Sequence, residues 1–410
     1  MLLFFMRQGG RPAHEGFSHA GKTHPLPLNA STHSAAHVLL HGDLAGGSGA
    51  LVLALPLPLR VRVDVTLGGG REVVVRGSGT EARLPLEELV PMVGTVSYDV
   101  AREKIRGAAA AGWPACVLGV LPVLARERRG IFDRGAVVEV GSPLPLGGGL
   151  GAPAALGVAA LSALARAYGV ALGPGEAPRL AHRVRTLFAG PEASPFETLP
   201  AVFGKEGEIL PIVCRPDRRL EPVPIPEGID VLVFEAGGER RAAEAARDAF
   251  RAALREGADL LSRRFPSLAY LTEAGVHALE EVFLPEGPRA AVAYVLRENE
   301  RAAAFLHATK RFAATADEEQ LRAMGRALDE AEEAARACGL PAAEATALLG
   351  EIRSLGEERG VLGARTVEGS TGIALVRAPE GRRALTDLLG GRGRLLCGTK
   401  VEPAGAGPAA

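Results

Sequence analysis

Apolar positions along this chain fall into runs of two periods, and their order sketches the fold. From about His37, HVLLHGDLAGGSGALVLALPLPLRVRVDVTLGGGREVVVRG reads as an apolar strand, a Gly-rich turn and a second apolar strand. LRVRVDV then alternates with period two, GGG turns the chain and REVVVRG returns, which predicts an antiparallel β meander. Residues 86 to 125 carry helical spacing. A strand-like run ends near Val140, followed by Pro145, Gly147, Gly148 and Gly149 and then a helix of small residues rich in Ala and Leu. Ile229 to Phe234 reads as a buried strand, with a long Ala/Arg/Glu helix from about Glu239. Helical stretches at 289–310, 318–338 and 342–358 precede GVLGARTVEGSTGIALV and a weak last strand, RLLCGTKV. Strands and helices mixed in this way over 410 residues predict two domains of mixed class, with ample length to bury cores.

Composition narrows the partners. A formal charge of −1 and a pI near 6.8 give no electrostatic reason to expect nucleic acid or an anionic membrane. Cys116, Cys214, Cys338 and Cys397 lie far apart without metal-ligand spacing, so buried thiols in a reducing compartment are expected, with no metal among them. Residues 1–35 lack periodicity and read as a loose extension, and MLLFFM is too short for a secretory core. Together with the lack of an 18-residue apolar run, these features predict a cytoplasmic protein. They leave oligomeric state open.

The chemistry concentrates after Val140. Adjacent glycines let a backbone approach a bulky ligand, and a helix starting straight after them turns free N–H groups and its positive dipole end toward the loop. That arrangement suits phosphate, although neither a Walker loop nor a G-x-G-x-x-G fingerprint is present.

LPLGGGLGAPAAL (144–156) resembles the P-x-G-x-G-L-S-S-S-A-A segment of the GHMP small-molecule kinases, the galactokinase branch in particular. Other landmarks follow in the same order. Val38, Leu40, Gly42 and Gly49 match the family's opening segment, WPACVLGV resembles a galactokinase helix, and Glu298, Asn299 and Arg301 match its E-N-x-R helix. Gly363, Ala364, Arg365 and Gly372 match its third, Gly-rich motif. The resemblance implies an α+β, two-domain GHMP kinase fold. An N-terminal ribosomal-protein-like α/β domain (36–215) carries the nucleotide loop, a ferredoxin-like C-terminal domain (216–400) follows, and the site lies in the cleft between them. A disordered tail is expected at 401–410.

The same resemblance implies site residues. ATP phosphates would lie on Gly147, Gly148, Gly149, Leu150 and Gly151, with Arg185 beside them. Glu197 falls on the catalytic aspartate, His37 on a catalytic-site arginine, and Asp43 and Gly369 on the substrate side. The residues that do chemistry in the family are the ones replaced. Gly151, Ala152 and Pro153 have no hydroxyl for Mg²⁺, and Arg185 stands where a glutamate would hold it. A guanidinium about 4 Å from a divalent ion is opposed by roughly 8 kcal/mol at an effective dielectric of 20. Either Mg²⁺ is absent, Arg185 points elsewhere, or Arg185 itself clamps phosphate. The inherited activity would be ATP-dependent phosphorylation of a sugar or small alcohol, and the replacements weigh against it. The alternative is a catalytically inactive relative that binds a metabolite, nucleotide or protein partner. The E-N-x-R residues are expected on an exposed helix face, with a capping or interhelical bond.

Overall fold

The computed structural model describes residues 29–399 apart from 90–97, 110–111, 129–131, 147–148, 174, 190–193, 216, 239 and 391. The first sheet is built from β1 (Asn29–His41), β2 (Leu51–Leu67), β3 (Glu72–Gly77), β4 (Thr80–Pro85), β5 (Ala136–Gly141), β6 (Glu208–Cys214), β7 (Asp217–Arg219) and β8 (Val223–Pro224). Its order is β4-β3-β5-β2-β6-β7, with β1 paired to β2 and β8 to β6. The second sheet, antiparallel in the order β10-β11-β9-β12, contains β9 (Ile229–Glu235), β10 (Val361–Val367), β11 (Thr371–Arg377) and β12 (Leu395–Gly398).

Two expectations need correcting. The first sheet takes in residues ahead of His37: the register Asn29↔Thr66 extends β1 along β2, so residues 29–35 belong to the sheet. The polar residues there suit a strand with one exposed face. The meander holds only in part: β1 pairs antiparallel with β2, but β2 and β3 are not neighbours. β3 pairs with β4 and, in parallel, with β5, while β5 lies between β3 and β2. Gly135 makes the insertion possible: its N–H reaches Gly70 O (2.8 Å), and Gly68 N–H reaches its carbonyl (2.9 Å). A Cβ at Gly135 would run into the Glu72 carbonyl. Period-two patterning fixes which face a residue takes, but not which strand lies beside it.

β2 runs 17 residues without a break, long enough to pair with β6 near its start (Leu51↔Val213) and β5 near its end (Arg62↔Gly141). The helix Ala152–Ala167 crosses this sheet, with 13 of its 16 residues buried. Its run of alanines lets it approach closely. Trp113 packs at the edge of the same core, as expected of a lone Trp. The two sheets share a second core. Val38, Leu40, Leu53 and Leu55 from the first meet Val231, Ile373 and Leu375 from the second. Phe305 and Met324, on helices Glu286–Thr315 and Glu318–Ala337, fill the same core. None of the four cysteines forms a disulfide, and three of them are buried.

Candidate functional site

The glycine loop leads from β5 to helix Ala152–Ala167. Gly147 and Gly148 lie outside the described residues, so the loop is seen from Gly149 onward. Gly151 caps the helix with a φ of 63°, and Leu150 before it also has a positive φ of 58°. The expected free N–H groups are fewer than the glycines suggest. Ala152 N–H bonds Gly149 O at 3.3 Å, Ala154 and Ala155 bond Gly151 O at 3.0 and 2.9 Å, and Pro153 has none. Leu150 N–H does point outward, and Glu368 accepts it at 2.7 Å.

Glu368 arrives from the opposite sheet. The third motif forms a hairpin rather than a long glycine loop: β10 and β11 pair as far as Val367↔Thr371, and Glu368, with φ 55°, and Gly369, with φ 83°, turn the chain. A Cβ at Gly149 would overlap the Glu368 carboxylate, so glycine there is what admits it. Burial raises the Glu368 pKa, Arg247 and the Leu150 N–H lower it, and the carboxylates of Glu197 and Asp43 raise it again.

Glu197 is the last residue of a 3-10 turn, Pro195–Glu197, capped by Ser194. One carboxylate oxygen takes the Ser194 N–H at 3.3 Å; the other meets Arg185 Nη2 at 2.6 Å. Arg185 stands where helix Glu176–Val184 widens into a single π-helical turn, Arg185–Ala189. Such widened turns recur at functional sites. Its stem lies 3.6 Å from where a Cβ on Gly157 would be, and the residue is 8% exposed. Nε and Nη1 have no hydrogen-bond partner among the described residues. His37, 2% exposed, lies against Gly151, where a Cβ would overlap its ring. Its backbone N–H donates to Leu150 O at 2.8 Å, while the ring Nδ1 has no partner among the described residues. Burial pushes the imidazole down to about 4, Glu197 opposing that shift and Arg185 adding to it.

Asp43 opens on the other side of Glu368. With Arg247, Tyr294, Arg365, Glu368 and Gly369 it lines a cavity of about 20 Å³, the space of one water-sized sphere. Thus Glu197, His37, Arg185, Gly149, Leu150, Gly151, Asp43 and Gly369 gather around Glu368 and the start of one helix.

The sequence reading misplaced the E-N-x-R residues. Glu298 is wholly buried and binds four groups: His41 Nδ1 and Gly42 N–H at 3.1 Å each, Arg301 Nε at 2.9 Å and Arg365 Nη1 at 2.7 Å. Burial alone would raise its pKa, but Arg365, His41 and Arg301 hold it well below the usual carboxylate range. Asn299 accepts the Leu51 N–H at 2.9 Å, anchoring the start of β2. Arg365 then reaches Tyr294 Oη at 3.3 Å and Asp43 at 3.5 Å. This network ties helix Glu286–Thr315 to β1 and β10 immediately behind the cavity. The E-N-x-R spacing was available as a signal. His41 in an apolar strand and Arg247 in an arginine-rich helix gave none.

Comparison with known proteins supports the same resemblance. Residues 115–205 match the family described as GHMP kinases N terminal domain. Over that stretch the chain carries a GHMP kinase N-terminal domain, and its relatives make it galactokinase-like. It is 33% identical over 219 residues to a galactokinase of Thermococcus kodakarensis, covering 53% of this chain and 58% of that one. An Arabidopsis thaliana L-arabinokinase is 26% identical over 171 residues, 40% of this chain and 16% of the relative. The chain therefore covers less than two thirds of either relative. Among solved structures, Lactococcus lactis galactokinase complexed with galactose superposes with a TM-score of 0.71 at 16% identity, over 90% of this chain and 93% of that one. Methanococcus jannaschii mevalonate kinase gives 0.61 at 14%, over 90% and 97%. These likenesses establish the GHMP kinase fold for two sheets that share one core.

Proposed function

We propose that this GHMP-family protein transfers the terminal phosphoryl group of ATP to a hydroxyl of a sugar or small alcohol, in the cytoplasm. The observation that carries the reading is the position of Glu368. It touches the glycine loop at Leu150, lines the Asp43 cavity and feels the charge of Glu197, so donor loop, acceptor cavity and carboxylate adjoin. In this reading the loop from Gly147 to Gly151 holds the donor phosphates. Asp43 and Gly369 face the acceptor, and Glu197 orients its hydroxyl and takes the proton. Phosphoryl transfer consists mostly of such positioning and charge stabilisation. The galactokinase and L-arabinokinase relatives favour a sugar.

A divalent cation is expected of such chemistry, and the residues here do not fit one. Arg185 pairs with Glu197, and Gly149 to Ala154 offer no hydroxyl. No step is routed through a metal.

A second reading is favoured by the same contacts. Glu368 already occupies the Leu150 N–H and Arg185 already occupies Glu197, which suits a protein that binds a metabolite, nucleotide or partner without turnover. ADP release measured with ATP and a panel of sugars and small alcohols separates the two. Transfer is expected with at least one acceptor, and Glu197→Gln should lower kcat at least about 100-fold, the scale of a lost general base. No transfer to any acceptor overturns the enzyme reading and leaves the second.

A further inference from the structure

We propose that Arg185, assisted by His37, forms a metal-independent site for a phosphate or pyrophosphate group. The proposal rests on the reading of the glycine loop as the donor site and goes further by naming what neutralises the anion.

Arg185 is 8% exposed, yet two of its three nitrogens, Nε and Nη1, have no hydrogen-bond partner among the described residues. Leaving buried donors unpaired costs about 1–3 kcal/mol each, more for a charged group, so they are maintained where a ligand supplies the acceptors. His37 repeats the pattern: it is 2% exposed, and its Nδ1 has no partner among the described residues. The two side chains act on one another electrostatically and both respond to Glu197. Both also pack on the helix that leaves the glycine loop, His37 at Gly151 and Arg185 beside Gly157.

The loop leaves this work to them. Its first helical turn has used the Ala152, Ala154 and Ala155 N–H groups internally, and Pro153 has none. What is missing is positive charge with directed donors. A guanidinium supplies both, and its fork matches two oxygens of a phosphate. Glu197 offsets the charge of Arg185 while the site is empty, holding Nη2 and leaving the other two nitrogens available.

The test is calorimetric titration of the full chain with inorganic pyrophosphate, in EDTA and again in Mg²⁺. Binding in EDTA is expected, weakened at least tenfold in Arg185→Gln and by less in Arg185→Lys, which keeps the charge but loses the fork. Glu197→Gln is expected to tighten it severalfold. Far-UV circular dichroism and thermal midpoints establish that each variant is folded; Glu197→Gln keeps the test open if the Arg185 variants are not. Binding that requires Mg²⁺, binding unchanged by the Arg185 and Glu197 variants, or no binding in either buffer overturns the proposal. Mg²⁺-dependent phosphoryl transfer without metal-free pyrophosphate binding would sink this inference and leave the proposed function standing. Metal-free binding without transfer would do the reverse.

Discussion

Glu298 shows how much one side chain holds in place. Four donors from three elements converge on its carboxylate, none of it exposed, so removing it leaves Arg365 and Arg301 as buried charges without their partner. Glu298→Ala is expected to cost about 3–5 kcal/mol, the range for breaking a buried ion pair, read as a lower urea midpoint. His37 makes a prediction of the opposite kind, concerning a proton it refuses. At pH 7 the ring is neutral both folded and unfolded. As the pH falls below the ordinary 6.5, the unfolded chain gains a proton that the folded chain rejects until about 4. Stability therefore declines across that window, by roughly 3 kcal/mol from this residue. His37→Asn should flatten that part of the acid limb relative to the parent, measured as urea midpoints from pH 7 to pH 4.

Among the elements, the β10–β11 hairpin has the most consequence for binding. Its turn puts Glu368 at φ 55°, a conformation that strains any side chain, and sends the carboxylate onto Leu150 N–H. Glu368→Gly removes a competing anion and suits the backbone. It is expected to tighten pyrophosphate binding at least severalfold in the same titration, whereas unchanged affinity would mean the carboxylate does not block the loop. The elements themselves were largely legible in the sequence. The Ile229–Phe234 strand, the helix after the glycines and the helices within 286–355 all follow from periodicity and length, since burial of one face imposes it. What could not be read was pairing and partnership. β5 enters between β2 and β3 because of contacts at Gly135, far from the alternation that defines either strand. Glu298 and Arg301 look like any charged pair on a helix until a second element covers them. Arg185 and Glu197 were each placed by resemblance, but their ion pair depends on tertiary packing that no local pattern specifies.

At the scale of the molecule, the core between the sheets leaves little independence to either half. Phe305, fully buried, packs with Leu40 and Leu53 of the first sheet and Leu375 of the second. Phe305→Ala is expected to cost about 3–5 kcal/mol. Trp113, the only tryptophan, lies in the other core, so its fluorescence reports a distant region. If the protein unfolds as one unit, Phe305→Ala lowers the fluorescence and circular dichroism midpoints equally; separated transitions would show two independent units. The interleaving also has a consequence for synthesis. Strand β1 leaves the ribosome about 260 residues before Phe305 and Met324 follow, a wait of roughly 15–50 s at ordinary rates of elongation. During that interval the faces of Val38, Leu40, Leu53 and Leu55 lack the cover that Phe305 and Met324 supply. The nascent chain is then a substrate for chaperones, and aggregation during expression should fall when translation is slowed or chaperone capacity is raised.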